Sequence, residues 1–357
     1  MKKKVTIQDI ADALGISRNT VSKAINNSEG LAAGTREKIL QKAVEMGYKQ
    51  FSYVQAQAQP QREEADDGES GFQGEIALLT TRTFSQSHFA SVMLDRFHRE
   101  LAEAGYTMAI YRVEQENLLK MNLPRTLLPS RVSGLICFEL FDYTYGEMLC
   151  SLGLPILFVD GPCKRSGKSL PCDQLYMENT LEITRLVREL LARGKRRIGF
   201  LGNWEHCQSF YERYLAFRNT MLMEGVTVEE RFLLPHNKGA EMDRSLSELE
   251  TMPDVFLCAN DFVAMDAMRV LQKRGISVPG DVLFCGFDDS PESRMLRPSL
   301  TTVHIHTQIM AYEAARLLLS RIREPSLDYR TVYTETYLIE RESTLGTGNI
   351  ANTIQNA

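Results

Sequence analysis

A chain of 357 residues exceeds the length at which one hydrophobic core normally suffices, so at least two domains are expected, and a hydrophobic fraction of 43% is ample for globular folding. No stretch is long and apolar enough to cross a bilayer, and Lys2 to Lys4 precede no apolar region of the kind that exports proteins. We therefore expect a cytoplasmic protein with no membrane partner.

Charge and cysteine content restrict the class of protein further. The formal net charge is −5, yet residues 1–50 carry nine Lys or Arg against five Asp or Glu. A small basic segment on an acidic chain is typical of a module that binds a polyanion. The seven cysteines include no CxxC pair and no cluster with histidine that would indicate zinc. We expect reduced thiols, no metal and no cofactor.

Residues 6–27 read as two short helices joined by a tight turn. Thr6 with Asp9 is a capping pair that opens the first helix, and Gly15 permits the turn because it has no Cβ. A second helix starts at Ser17. This arrangement predicts a helix-turn-helix, the motif that places its second helix in the major groove of DNA.

The second helix separates apolar from polar side chains. Val21, Ala24 and Ile25 fall on one face, and the opposite face carries Arg, Asn, Ser and Lys. Arg and Lys can donate to guanine, Asn can pair with adenine, and hydroxyls can bind phosphates. The alternative is a small helical bundle whose polar face is merely solvated. The predicted DNA contacts are Thr6, Ser17, Arg18, Asn19, Thr20, Ser22, Lys23, Asn26 and Thr35.

An alternation of strands and helices follows a polar stretch that is rich in Gln, Gly and acidic residues. The first series consists of strands at 76–80, 108–111, 134–138 and 155–160, with a helix at 88–104. A second series begins near Leu175 and consists of helices at 179–192, 210–224 and 261–274 and strands at 197–202, 255–259 and 282–287. Short apolar runs between amphipathic helices predict two doubly wound α/β lobes with parallel sheets.

These patterns set the domain boundaries. We assign a helix-turn-helix head to residues 1–54, an acidic linker to 55–74, a core of two α/β lobes to 75–345 and a tail to 346–357. The linker has too little aliphatic content to form a core.

Polar residues follow several of the predicted strands directly. Asn260-Asp261 follows one strand, Asp288-Asp289 another, and Glu139 with Asp142 a third. Ligands of open α/β sheets bind beyond the carboxyl ends of strands, so these residues are candidates for a binding site. Each of them could instead cap the next helix.

The sequence resembles the LacI/GalR family of transcriptional regulators along most of its length. In the head the resemblance rests on TIQDIA, TVSK, the Asn26-Asn27 pair, Thr35 to Glu37 and Gly47-Tyr48. In the body it rests on GKRRIGFLG, Arg213 with Phe217, CANDFVAMDAMRVLQKRGISVPGDV, GFDD and LTTV. It extends from residue 3 to about residue 345.

The resemblance implies a helix-turn-helix head joined to a periplasmic-binding-protein-like core that binds a small-molecule effector between its lobes. It implies that Arg213 and Asp288 hold polar groups of the effector, and an Arg fork facing a carboxylate suits a sugar. A homodimer reading a pseudo-palindromic operator is also implied. The predicted effector contacts are His88, Phe89, Glu139, Arg213, His236, Asn260 and Asp288. Phe89 could equally be a core residue, and Trp204 could line the pocket or merely cover a strand end.

Departures from the family pattern limit what the resemblance implies. Glu178-Asn179 stands where Asp-Asn is usual, and His304 and His306 replace other residues after LTTV. In the hinge, Gln57 stands where relatives have a leucine that wedges into the minor groove. We therefore expect a weaker operator kink, unless Phe51, Tyr53 or Val54 takes the place of that leucine. The alternative is that Phe51 and Tyr53 dock on the body and anchor the linker.

Two other functions have to be weighed against an effector-controlled repressor. An enzyme of this fold would need a nucleophile, a base or a phosphate-binding loop, and no motif of that kind is present, so we expect a protein that is not an enzyme. A regulator controlled by a partner protein or a nucleobase, instead of a sugar, remains open.

Overall fold

A computed structural model of the chain describes residues 6–25, 35, 38, 39, 42, 43, 46, 72–81, 88–164 and 166–345, apart from the side chains of residues 25 and 88–92. The chain divides into two compact units, Met1–Ser70 and Gly71–Ala357. The predicted hinge, at residues 48–57, and the tail at 346–357 lie outside the described residues. So does the linker up to residue 71.

The first unit contains helices α1 (Ile7–Leu14) and α2 (Arg18–Ile25). Thr6 caps α1 as predicted: Asp9 N donates to Thr6 Oγ1 over 3.3 Å, and Thr6 N donates to Asp9 Oδ2 over 2.7 Å. Gly15 ends α1 at φ 65°, a conformation that glycine adopts at little cost. The predicted helix-turn-helix is confirmed, with α2 starting one residue later than expected.

The head has its own small apolar core, which holds α1 and α2 together. Its buried members are Ile10, Ala11, Val21, Ala24, Ile39 and Ala43. The apolar face predicted for the second helix is therefore the buried one at Val21 and Ala24, while the side chain of Ile25 lies outside the described residues.

The second unit contains alternating strands and helices. Its strands are β1 (Gly74–Thr80), β2 (Tyr106–Arg112), β3 (Val132–Phe138), β4 (Ile156–Val159), β5 (Asp173–Met177), β6 (Ile198–Leu201), β7 (Leu233–Leu234), β8 (Val255–Cys258), β9 (Leu283–Cys285), β10 (Thr302–Ile305), β11 (Thr331–Thr334) and β12 (Thr336–Ile339). Its helices are α3 (His88–Glu103), α4 (Gln115–Lys120), α5 (Tyr143–Cys150), α6 (Leu181–Ala192), α7 (Gln208–Met223), α8 (Ala240–Ser247), α9 (Asp261–Lys273), α10 (Pro291–Met295), α11 (Thr307–Arg323) and α12 (Glu342–Leu345).

The first lobe is a six-stranded sheet in the order β11-β5-β4-β3-β1-β2, and its neighbouring strands are all parallel. Successive residues of β1 enter different cores: Ile76 and Leu78 pack with α3 and α11, whereas Ala77 and Leu79 pack with α5. Burial of alternate side chains on both faces is what a parallel sheet between helices requires.

The second lobe is a four-stranded parallel sheet in the order β7-β6-β8-β9. β10 continues beside β9 through single bridges, and β12 pairs with β10 in the antiparallel sense. The prediction of two doubly wound lobes is therefore confirmed. Among the described helices, none combines the length and apolar composition needed to cross a membrane.

The start of the second series was placed wrongly. The strand around Leu175 is β5, which pairs with β4 and so belongs to the first lobe. The chain passes to the second lobe only after β5, returns to the first with α11 and β11, and passes back with β12. The pattern of apolar residues locates a strand but does not reveal which sheet it joins, because pairing is a long-range contact.

A buried ion cluster fixes this returning segment to the first lobe. Asp173, at the start of β5, is fully buried. Arg321 of α11 donates to it through Nε and Nη2, each over 3.0 Å, and Arg330 donates through its backbone N over 2.7 Å. Although burial raises the pKa of Asp173, these arginines lower it below its ordinary value, so the carboxylate is charged.

Candidate functional site

The polar face of α2 is exposed. Arg18, Asn19 and Lys23 are exposed, and Ser22 is half-buried. This is the arrangement that base reading from the major groove needs, because side chains must project from a helix whose other face is anchored. The contacts themselves stay predictions.

Several hydroxyls proposed to bind phosphate have a local structural task as well. Ser17 Oγ accepts from Thr20 N over 3.1 Å and lies 2.7 Å from Thr20 Oγ1, so Ser17 caps α2. Thr6 caps α1. Thr35 is helical and exposed, and Asn26 lies outside the described residues.

A second polar site forms where strands of both lobes end. Arg213 of α7 is 2% exposed and is held from two sides. Its Nε donates to Asn179 Oδ1 over 2.9 Å and its Nη1 to the Ala259 carbonyl over 2.6 Å, while the guanidinium lies 3.5 Å from the ring centre of Phe287. In the described part of the chain Nη2 donates no hydrogen bond. Arg213 is therefore held in a fixed position, and its Nη2 group is left to donate to a ligand.

Asp288, the other residue that the family resemblance predicts at the effector, lies beside this arginine. Its Oδ1 is 3.8 Å from Arg213 Nη1, and no hydrogen bond to its side chain is found among the described residues. Burial raises its pKa well above the ordinary value, Arg213 opposes this, and the negative charges of Asp261, Glu139 and Asp160 add to it. Its backbone adopts φ 116°, which is strained for a residue with a side chain.

Asp160 faces Arg213 from the first lobe, and sequence reasoning did not select it. It follows β4 directly, adopts φ 50° and accepts from Ser209 Oγ of α7 over 2.9 Å. Burial raises its pKa to about 6, although Ser209 and Arg213 oppose the shift. The rule that singled out Asp288, a polar residue directly after an apolar strand, applies equally to this position.

Asn179, from the Glu178-Asn179 dipeptide that departs from the family pattern, positions the arginine. It is buried, its Oδ1 accepts from Arg213, and its Nδ2 donates to Glu212 Oε2 over 2.8 Å. The preceding Glu178 accepts from Leu181 N over 2.8 Å and from Thr180, so it caps α6.

Asn260 and Asp142 serve as helix caps. Asn260 Oδ1 accepts from Val263 N over 3.0 Å at the start of α9, and Asp142 Oδ1 accepts from Tyr145 N over 2.8 Å at the start of α5. Asn260 follows Ala259, whose carbonyl holds Arg213, so its amide Nδ2 remains a donor beside the site. The capping interpretation thus holds for both residues, and for Asn260 it is compatible with binding.

Asp261 and Asp289 are internal to the second lobe. Asp261 is fully buried and accepts from Thr302 Oγ1 over 2.6 Å and from Ser290 N over 2.7 Å. Asp289 accepts from Arg341, from Arg294 and from His304 Nδ1, the last over 2.8 Å. His304, one of the unusual histidines after LTTV, thereby belongs to the hydrogen-bond network around Asp289.

The remaining predicted effector residues differ in how far the structure places them. Glu139 adopts φ 50° directly after β3, and its carbonyl accepts from Thr81 Oγ1 over 2.9 Å. His236 follows β7 and lies 3.6 Å from Glu241, and no described contact joins it to Arg213. His88 and Phe89 begin α3, but their side chains lie outside the described residues.

Contacts between the lobes adjoin this site around Arg213, Asp288 and Asp160, which we call the cleft. Gln208 N donates to the Gly161 carbonyl over 3.0 Å, and Lys164 N donates to Gln208 Oε1 over 2.8 Å. Phe141 packs edge-on against His206 at 4.8 Å. Trp204 stacks on Tyr214 of α7, with ring centres 4.5 Å apart, and packs against the apolar core. No group of acids, histidines and cysteines in the described residues is arranged to hold a metal ion.

The raised pKa of Asp160 predicts how the stability of the ligand-free protein depends on pH. The ordinary value is 3.8 and the folded value about 6, so between pH 4 and 6 the folded state binds more protons than the unfolded state. The free energy of unfolding should therefore fall as pH rises through this interval and then level off. Buried Asp261, whose pKa is also raised to about 6 by burial, contributes with the same sign.

Urea unfolding between pH 4.5 and 7.5 checks this expectation. Asp160→Asn should make the free energy of unfolding depend less steeply on pH. Asp243→Asn, at an exposed acid on α8, should leave that dependence unchanged. An unchanged slope in Asp160→Asn would show that Asp160 titrates normally.

Known proteins share this architecture. The family model described as bacterial regulatory proteins, lacI family, matches residues 6–50, and the model of a periplasmic binding protein-like domain matches residues 187–344. The HTH-type transcriptional regulator GalR of Lacticaseibacillus casei is 28% identical over 356 residues, covering 95% of this chain and 99% of its own. The HTH-type transcriptional repressor PurR of Mannheimia succiniciproducens is 25% identical, covering 95% and 98%.

A solved structure shows the same fold. The transcriptional regulator CelR in complex with cellobiose superposes with a TM-score of 0.66 at 23% identity, covering 95% of this chain and all of that one. The matched head, the matched core and relatives aligned over nearly their whole length agree with one another. The chain is thus similar over nearly its whole length to helix-turn-helix transcriptional regulators, and its residues 6–50 match the lacI family of bacterial regulatory proteins.

Proposed function

We propose that the protein is a cytoplasmic repressor that binds a pseudo-palindromic operator as a homodimer and is controlled by a sugar in the cleft. The observation that carries the effector part is the geometry of Arg213: it is buried and fixed through Nε and Nη1, and Asp288 Oδ1 lies 3.8 Å from Nη1. In the described residues Nη2 donates no hydrogen bond, so it is left to donate to a ligand. A donor and an acceptor in fixed directions are what neighbouring hydroxyls of a sugar require.

Both lobes contribute to the proposed site. Asp160 comes from the first lobe and reaches Ser209 of the second, so a ligand between them touches groups that move with different lobes. Such a ligand stabilises one arrangement of the lobes over another, and this is how binding in the cleft would alter DNA affinity. One of the relatives is named in complex with cellobiose, which supports a sugar.

The DNA part of the proposal rests on α2. We expect Asn19→Ala to relax base preference at one position of each half-site and to weaken binding by about 1–3 kcal/mol per half-site, because a bidentate contact to adenine is lost. Selection of binding sites from random duplexes, followed by anisotropy titration, measures both effects. Gln8→Ala, at an exposed position on α1, is the matched control. If the Asn19 variant selects the same bases as the unaltered protein, Asn19 does not read a base.

The proposal that the effector is a sugar is tested on the purified full-length protein. Thermal unfolding with neutral sugars, sugar phosphates, nucleobases and no addition should show a raised midpoint for at least one sugar, because a ligand that binds the folded state stabilises it. The ligand that stabilises should also change the affinity for the selected operator. A response to a nucleobase, with none to any sugar, would contradict the sugar proposal and favour the nucleobase alternative.

A further inference from the structure

Glu212 lies on α7 directly before Arg213, and its side chain is half-buried. Among the described residues it accepts every hydrogen bond that it makes. Tyr333 Oη and Gln208 Nε2 each donate to Oε1 over 2.9 Å, and Asn179 Nδ2 donates to Oε2 over 2.8 Å. Because Oε1 is held by two donors, Oε2 is the oxygen that faces Asn179.

The amide of Asn179 joins this carboxylate to the arginine of the cleft. Its Nδ2 donates to Glu212, and its Oδ1 accepts from Arg213 Nε over 2.9 Å. If the amide were turned over, Oδ1 would face the carboxylate and Nδ2 would face the guanidinium, so acceptor would meet acceptor and donor would meet donor. Nδ2 also donates over 3.3 Å to Ser209 Oγ, which itself donates to Asp160. Glu212 therefore determines which end of the amide faces Arg213.

We propose that Glu212 is a positioning residue of the effector site, which acts through Asn179 to fix the plane of the Arg213 guanidinium. The proposal rests on the proposed function of the cleft as an effector site. A guanidinium is planar, so fixing Nε and Nη1 also fixes the directions in which Nη2 donates. Nη1 is held by the carbonyl of Ala259, a backbone group. Nε is held by a side-chain amide, whose orientation depends on Glu212.

Glu212→Gln removes this constraint, because an amide has one acceptor end and one donor end. The donor end then faces either Asn179 Nδ2 or Gln208 Nε2, and both of these groups are donors. Gln208 is kept from turning because its Oε1 accepts from Lys164 N over 2.8 Å. Asn179 can turn, but it then presents Nδ2 to Arg213 Nε, and the hydrogen bond that holds the guanidinium is lost.

A second substitution restores the pattern with the two roles exchanged. In Glu212→Gln combined with Asn179→Asp, the new amide donates to the new carboxylate, whose other oxygen accepts from Arg213 Nε. The amide oxygen at position 212 still accepts from Tyr333 and Gln208, and the net charge equals that of the unaltered protein. Asn179→Asp alone instead places two carboxylates face to face, where they repel each other.

The Nε–H group of Arg213 reports on its own hydrogen bond without any ligand. In the full-length protein with isotope-labelled arginine, its nuclear magnetic resonance signal is identified by its absence in Arg213→Lys, and its hydrogen-exchange rate is measured at neutral pH. We expect about tenfold faster exchange in each single variant and a rate within about threefold of the unaltered one in the double variant, because exchange requires this bond to open. Glu224→Gln, at an exposed acid directly after α7, is the control for loss of charge and should exchange at the unaltered rate.

The affinity of the site is measured on the same variants by calorimetric titration with glucose, galactose and cellobiose. For a sugar that binds the unaltered protein, we expect each single substitution to weaken binding by about tenfold and the double substitution to restore most of the affinity. Thermal unfolding of each variant identifies a role in stability alone, which would lower the midpoint without changing exchange or affinity. If a single variant does not fold, the double variant decides: it should fold, exchange and bind nearly as the unaltered protein does.

The two measurements separate this proposal from the proposed function. If the single variants exchange and bind as the unaltered protein does, or if the double variant is no better than the singles, Glu212 does not position Arg213, and the sugar-controlled repressor stands. Faster exchange with unchanged affinity for a sugar would also overturn the proposal, because the position of Arg213 would then not govern binding. If none of the three sugars binds while the double variant restores the exchange rate, Glu212 positions Arg213, and it is the proposal of a simple sugar that is contradicted.

Discussion

Arg213→Lys is expected to weaken effector binding by about 30-fold or more, because losing a charged hydrogen-bond donor from a buried binding contact typically costs about 2–5 kcal/mol. Lysine keeps the charge, but it cannot hold Asn179 and the Ala259 carbonyl while also presenting a donor next to Asp288. Calorimetric titration with the ligand that stabilises the unaltered protein measures the loss.

Arg218→Lys is the matched control for this substitution. Arg218 lies on the same helix, is half-buried, and pairs at 2.8 Å with the exposed Glu230. The Arg218→Lys variant should bind the effector with the affinity of the unaltered protein. Both variants should bind operator DNA without ligand as the unaltered protein does, since neither residue belongs to the head. Equal effector affinity in the two variants would remove Arg213 from the site.

Asp173→Ala is expected to lower the free energy of unfolding by about 3–5 kcal/mol, the largest loss of stability we predict for a single substitution. The substitution leaves Arg321, itself almost fully buried, without its carboxylate, and it removes the acceptor of the Arg330 backbone N–H. These hydrogen bonds fix α11 and β11 to β5, so the attachment of the returning segment is weakened. Urea unfolding followed by circular dichroism measures the change.

Asp266→Ala provides the comparison at the surface. Asp266 pairs with Arg269 at 2.8 Å on α9, and both side chains are open to water, so the expected loss is below about 1 kcal/mol. If Asp173→Ala costs no more than this, the buried cluster does not stabilise the fold as described.

Local structure followed from the sequence because its signals are local. The capping pair at Thr6, the turn at Gly15 and the short apolar runs all depend on residues close together in the chain, and these elements lie within a few residues of where they were predicted. The membership of β5 in the first sheet, and the return of the chain after β10, depend on contacts such as Asp173 with Arg321. Those partners are far apart in sequence.

The same difference between local signals and long-range contacts applies to the cleft. Arg213 and Asp288 were predicted from resemblance, and the structure brings them together. Asp160 and Asn179 were overlooked because each looks ordinary in its own segment, and only the packing of α7 against the ends of β4 and β5 reveals their contacts. The predicted roles of His88 and Phe89 stay predictions, since their side chains lie outside the described residues.

One titration tests most directly whether a ligand in the cleft controls DNA binding by the head. Operator selected by the protein is titrated by anisotropy with the unaltered chain and with Arg213→Lys, each with and without the stabilising ligand. We expect the ligand to change operator affinity by about 5- to 150-fold in the unaltered protein and not in the variant. Equal operator affinity with and without ligand in the unaltered protein would contradict the account.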